Sequence, residues 1–264
     1  MSVSSAIAQP LRDGAGQSAV VRRMAVAWQH PDERSVRPVG LLQYDGQTHE
    51  FFYLHAVSEV HDFRPFLNFP DLARIYRSAD LFPMFSQRVM SARRPDYTQY
   101  LRQLDLVGGA TPWEQLARTE GKLASDTIQL IPEPEVDGKG RTKSQFLVAG
   151  IRHQIKDEHQ RDLILSRLKR GDKLQLVEEP GDPVNPRAVL VSTRDQVALG
   201  WVPNMLVDYV HDVRDGGPFS VEVAHVNGPD APSHMRLLAL IEGQLEPGCH
   251  PFAGPNWQPY SGIR

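Results

Sequence analysis

Cations and aromatic rings, not nucleophiles, are the side chains of this sequence whose types and spacing could do chemistry. Between positions 161 and 173, Arg161, Arg167, Lys169, Arg170 and Lys173 stand against Asp162 and Asp172, a local charge of +3 in a chain of net charge −3. Such a run could track a phosphate backbone, with an affinity that falls as salt rises. A solvated helix face is the commoner role for a run of this kind. Arg152, followed by His153, stands ahead of it. A guanidinium offers a planar fork of donors suited to a phosphate or a base edge, whereas the plainer role is a strand-end arginine paired with a carboxylate. Trp201 and Tyr209 could offer π-faces for stacking on bases, although a tryptophan in a short strand more often belongs to the core. Arg88, Arg93 and Arg94 make a second basic knot on and after an expected helix, where the backbone dipole favours cations in any case.

Catalysis and metal binding find no comparable support. His55 and His61, like His153 and His159, stand six apart, which suits neither one helix face nor one strand face. No His-Glu-x-x-His occurs, and the glycines at 138 and 140 lack the spacing and the leading strand of a phosphate loop. No Gly-x-Ser-x-Gly is present, and Cys249 lies in a proline-flanked tail without an evident base. A single cysteine also excludes an internal disulfide and a cysteine-rich zinc site. The sequence therefore reads as a non-enzyme without metal or cofactor.

With 264 residues, 41% hydrophobic and 23% charged, the chain has the composition of a globular protein of one large or two ordinary domains. The mildly acidic balance means that any surface for nucleic acid must be local. No apolar run approaches the ~18 residues of a membrane span, and the first residues lack the pattern of a secretory signal. A cytoplasmic protein that does not engage membranes is expected, with residues 1–18 a disordered lead-in.

The elements that must position these side chains are mostly strands. A first strand is expected from about Val20, and the Asp45-Gly46 pair predicts a two-residue hairpin between Val39–Tyr44 and Glu50–Leu54. Prolines then break 58–120 into short helices: 71–77, 84–91, 96–104 and 112–118. The last opens with Thr111-Pro112-Trp113-Glu114, a capping box with proline at the first helical position. Residues 126–131 read as a strand returning to the sheet, and 134–145, rich in proline, glycine and mixed charge, as a linker. Further strands are expected at Phe146–Gly150, Lys173–Val177 and Val189–Ser192, with a proline-rich loop at Glu179–Pro186 and a helix at Asn204–Asp212. Two more strands in 218–243 would form a hairpin that completes the barrel or bridges the halves, and the aromatic tail would lie against the surface.

The order of elements from 146 to 213 resembles the HIRAN domain. The resemblance rests on Gly150-Ile151-Arg152, Leu176-x-x-Glu179-Pro180, the loop Asp182-Pro183-Val184-Asn185, Ala188-Val189-x-Val191 and Gly200-Trp201-Val202-Pro203. It implies a small β-barrel closed by a helix and an activity of binding DNA, single strands or ends. Arg152, the 182–185 loop with Asp182 and Asn185, and the basic run would carry the contacts, with His153 and Trp201 beside them. Where the family loop has a base-stacking tyrosine and an aspartate that meets a terminal hydroxyl, this chain has Val184 and Asn185.

Residues 36–133 resemble the N-terminal region of HipA-type serine/threonine kinase toxins. The residues concerned are Val39-Gly40-Leu41-Leu42, Phe51-x-Tyr53-Leu54, Leu81-Phe82-Pro83, Pro112-x-x-x-Leu116-Ala117-Arg118-Thr119-x-Gly121 and Asp126. That resemblance implies a sheet with small helices that sits on another protein, without the kinase core. The fold expected is α+β, mainly β. An N-terminal sheet domain (20–133) would precede the linker, the barrel (146–214) and a packed C-terminal hairpin and tail (215–264). The function expected is non-catalytic binding of DNA through Arg152, His153, Arg167, Lys169, Arg170, Lys173, Asp182, Asn185 and Trp201. The alternative is a regulatory factor whose N-terminal half docks on a kinase toxin or another protein partner.

Overall fold

Side chains of successive strand residues point to opposite faces, and in the first sheet of this protein both faces are covered. The computed structural model describes residues 21–33, 35–106, 108–123, 126–182 and 185–261; the expected lead-in and Val184 lie outside them. β1 (Arg22–Gln29), β2 (Val36–Tyr44), β3 (His49–Tyr53), β4 (Tyr76–Ser78) and β5 (Ile128–Pro132) form an antiparallel sheet ordered β4-β3-β2-β1-β5. Met24, Val26, Phe51, Tyr53 and Leu130 face one core, filled from the other side by Phe69, Phe85, Trp113 and Leu116. Their neighbours Ala25 and Ile131 turn the other way, into the core of the second sheet. Leu41 and Phe52 pack with Leu54 beneath Trp257 of the tail.

Between β3 and β5 lie α1 (Pro83–Ser86), α2 (Tyr97–Gln103) and α3 (Pro112–Thr119). The capping box of α3 is formed, with the Glu114 N–H donating to the Thr111 hydroxyl at 3.2 Å and the Thr111 N–H to the Glu114 carboxylate at 2.8 Å. No helix forms at 71–77. The Asp71 carboxylate accepts from the Ala73 N–H at 2.9 Å, a local bond that competes with helix, and the chain continues into β4. α1 likewise stops at Ser86, short of the expected 91. The hairpin after β2 turns through residues 45–48 and not through two, because the Asp45 carboxylate accepts from both Gln47 and Thr48 N–H at 2.8 and 2.7 Å.

β6 (Glu135–Val136), β7 (Arg141–Leu147), β8 (Lys173–Glu178), β9 (Val189–Thr193), β10 (Ala198–Trp201), β11 (Ser220–Val226) and β12 (Leu237–Gln244) make a second antiparallel sheet ordered β10-β9-β8-β11-β12-β7-β6. The stretch 134–145, expected as a linker, therefore carries β6 and most of β7. The turn residues that suggested a linker serve a hairpin instead, in which the Asp137 carboxylate accepts from the Lys139 and Arg141 N–H. The expected closed barrel is not found. The strand ladder is open, and an isolated bridge ties its two sides together. Ala149 and Trp201 exchange backbone bonds of 2.8 and 2.9 Å, after which the chain turns away at Gly150 and the pairing cannot continue.

Helices α4 (Ile151–Gln154), α5 (Glu158–Arg167) and α6 (Val207–Asp215) accompany this sheet, and Val207, Val210 and Val213 of α6 are buried in its core. A 3-10 turn at Asn204–Leu206 precedes α6, so the helix expected from 204 starts late and runs on. The β11–β12 hairpin takes the middle of the sheet and also reaches the first half, where Leu104 packs with Leu147, Ala224 and Leu238. The tail folds back on both parts: Phe252 stacks on Trp257 with ring centres 4.4 Å apart, and Tyr260 N–H bonds the Tyr53 carbonyl at 2.8 Å.

Candidate nucleic-acid interface

Arg152 is positioned by the residue two places before it. Gly150 adopts φ +68°, and a side chain there would bring its Cβ to 2.7 Å from the Trp201 ring. Glycine meets both demands at once. The chain turns sharply off the bridge to Trp201 and starts α4, Ile151 is buried, and Arg152 and His153 are left exposed. The Arg152 guanidinium leans toward the His153 ring, with Nε to Nε2 at 3.4 Å, and takes no ion pair among the described residues.

Two distant segments bring further nitrogen to this corner. Glu120, buried and in the left-handed conformation after α3, accepts from the Leu147 N–H at 3.3 Å and pairs with Lys122. The 3-10 turn Ser233–Met235 packs against α4 and carries His234. The His234 ring reaches solvent, yet desolvation by the surrounding protein lowers its pKa below the ordinary imidazole value. The Lys122 charge lowers it next, Glu120 opposes, and Arg152 adds to the lowering. Arg152, His153, Lys122 and His234 thus share one neighbourhood in which the carboxylate at hand is already engaged by Lys122 and a backbone amide. Lys156, exposed and four residues beyond Arg152, has no ion pair among the described residues. Lys122, His234 and Lys156 were missed in the sequence. Only the spacing of Lys156 could have suggested it, because the other two arrive from remote segments.

The rest of the expected site divides. Trp201 is half-buried: its ring lies along Gly150 and its indole N–H donates to the Glu179 carboxylate, so it ties the start of the proline-rich loop to the Arg152 corner. Asp182 and Asn185 are occupied within that loop. The Asp182 carboxylate accepts from the Asn185 N–H at 2.8 Å, and the Asn185 side chain accepts from Arg187 N–H at 2.9 Å and donates to Asn204 at 3.3 Å. Asn185 faces a cleft of about 540 Å³ shared with Pro38 of β2 and with Glu59 of the first half, away from the Arg152 corner.

The basic run does not act as a unit. Arg170 pairs with Asp105 at 2.5 Å and Lys173 with Glu222 at 2.8 Å. Arg161 is largely enclosed, donating to the Ile155 carbonyl at 3.2 Å beside Glu158. Arg167 and Lys169 are exposed and free of ion pairs among the described residues.

Other residues singled out in the sequence are occupied within the fold. Tyr209 is buried, its hydroxyl 3.0 Å from that of Thr142, and burial pushes its pKa up to about 12; it offers no face to a base. Arg88 is buried and bonds the carbonyls of Met84 and Gly121 and the Asp126 carboxylate, while Arg94 pairs with Asp96, so the second basic knot dissolves. Burial, and then the Asp212 charge, raise the Cys249 thiol above its usual range, which leaves it a poor nucleophile at neutral pH. Among the described residues no helix is long and apolar enough to cross a membrane.

No family model matches this sequence, and no curated protein matches it. A solved structure of a protein from Lactobacillus plantarum, a structural genomics target, is similar in part. It is 18% identical, the likeness covers 40% of this chain and 100% of that one, and the TM-score is 0.30.

Proposed function

We propose that this protein binds nucleic acid without acting on it chemically, gripping the phosphates of a DNA single strand or end at the α4 corner. The observation that supports this reading most is Arg152: an exposed guanidinium without a carboxylate partner among the described residues, set beside His153, Lys122 and His234. A free planar donor fork suits phosphate oxygens. Arg167 and Lys169 extend the cationic surface along the far end of α5. The resemblance of 146–213 to the HIRAN domain supports the same ligand, whereas the occupied Asp182 and Asn185 place no weight on end-reading by that loop.

Fluorescence anisotropy against single-stranded, blunt and 3′-tailed DNA tests the reading at ~50 mM salt, where phosphate contacts are strong. Binding that weakens steeply with salt is expected. No binding to any of the three overturns it.

A second reading, docking of the first half on a protein partner such as a kinase toxin, is favoured by Leu67. This leucine is 99% exposed in the loop between Phe66 and the buried Phe69, where an apolar side chain gains nothing from water. Affinity capture with wild-type and Leu67→Glu baits separates the two. This reading expects one stoichiometric protein that the substitution releases, and capture unaffected by it would discard the leucine as an anchor.

A further inference from the structure

α3 ends near Arg118, whose Nη1 is enclosed and has no hydrogen-bond partner among the described residues. The residue lines a cleft of about 970 Å³ between α3 on one side and β7 and β12 on the other. A guanidinium carries five donors and a permanent charge, and a buried charged donor left unmade is costly. Several of the neighbouring charges are already engaged. Arg23 pairs with Glu133, Lys143 with Glu135, and Glu114 closes the α3 capping box. Asp105, whose field reaches Arg118, is bonded to Arg170 instead. Burial lowers the Arg118 pKa from its ordinary value, with Asp105 and Glu114 opposing and Arg170 adding to the lowering; neither carboxylate pairs with Arg118 directly among the described residues.

We propose that this cleft binds a small amphipathic monocarboxylate, its carboxylate forked on the Arg118 guanidinium and its apolar body against Trp113, Leu238 and Leu240. A carboxylate matches the planar fork with two parallel bonds. Arg22, Arg23, Arg118 and Lys143 line the cleft against Glu114, Glu133, Glu135 and Glu242, so its fixed charges balance. A single negative charge completes Arg118, while each further charge on a polyanion meets a lining that offers it no net attraction. The volume lies within the range of about 300–1,000 Å³ usual for small-molecule sites. The site shares no residue with the α4 corner and stands or falls independently of nucleic-acid binding.

Thermal unfolding of the full chain in sodium benzoate, against sodium chloride of equal ionic strength, benzyl alcohol and phenyl phosphate, tests the proposal. For the wild type a saturable rise in Tm is expected with benzoate, a smaller one with phenyl phosphate, and none with benzyl alcohol, because ligand bound only to the native state raises stability. Arg118→Met is expected to melt no lower than wild type in chloride, since it removes an uncompensated cation, and to lose the benzoate response. Arg118→Lys is expected to fold and keep a weakened response. A benzoate shift that survives in Arg118→Met, or no shift in the wild type, overturns the proposal. Should Arg118→Met not fold, the same two outcomes are read from Arg118→Gln, and calorimetric titration of the wild type with benzoate showing no saturable heat overturns it as well.

Discussion

Two groups of cations flank α5, and they differ in where the counter-charge comes from. At the far end Arg170 meets Asp105 from the first half and Lys173 meets Glu222 from β11. At the near end Arg152 meets no carboxylate among the described residues, and the acid that reaches the corner, Glu120, is engaged by Lys122 and the Leu147 amide. Both groups look alike in the sequence. What separates them is which neighbouring element supplies an acid at the right height, so the cation count of a segment says little about its field until its partners are known. Exposed pairs such as Lys173–Glu222 contribute only about 0–1 kcal/mol to stability, yet they suffice to remove a cation from service.

The contrast can be broken most forcefully at the glycine that aims Arg152. Gly150→Ala forces a left-handed residue and drives its Cβ into Trp201; a stability loss of about 1–3 kcal/mol is expected, together with a drop in DNA affinity exceeding that of any single cation. Urea unfolding and anisotropy check the two together, and unchanged stability would mean that the corner is not built as described. Next, Arg152→Ala should weaken DNA binding about tenfold and flatten the salt dependence by roughly one phosphate contact. Arg170→Ala and Lys173→Ala should change it less than about twofold. The reverse ranking would hand the site to the far end of α5.

Freeing a paired cation sharpens the same comparison. Asp105→Asn releases Arg170, and a gain of about two- to threefold in affinity at low salt is expected; no gain would show that the pairing is not what silences Arg170. The smallest effect is the protonic one. The folded state holds the His234 pKa below its ordinary value of about 6.5. The unfolded chain therefore takes up that proton more readily, and the stability it contributes is complete above that pH and lost as pH falls through the folded pKa. A bound phosphate acts on the ring in the opposite sense, so DNA affinity should climb over the same fall in pH. His234→Gln should flatten both trends, and profiles identical to wild type would remove His234 from the corner.

Sequence patterning was a good guide wherever a local rule operates. Thr111 and Glu114 announced α3, alternating apolar residues announced β8 and β9, and Asp45-Gly46 marked the turn after β2, although the carboxylate of Asp45 made that turn longer. It misled where local bonds compete, as at Asp71, and where turn residues sit inside a hairpin, as in 134–145. The cationic character of residues 152–173 was likewise legible, and Arg152 is exposed and without an ion pair among the described residues. Lys122 and His234 were not, since nothing near Arg152 in the chain points to segments so far from it.

The amino-acid order alone therefore determined several of the strands, the capped α3 and the presence of a local excess of positive charge. These follow from interactions within a few residues, namely side-chain periodicity, caps and backbone sterics. Which cations stay free was decided only when the two sheets came together, because Asp105, Glu120, Glu222 and His234 reach their partners from segments distant in the chain, and Coulomb forces act over distance in space, not along the sequence.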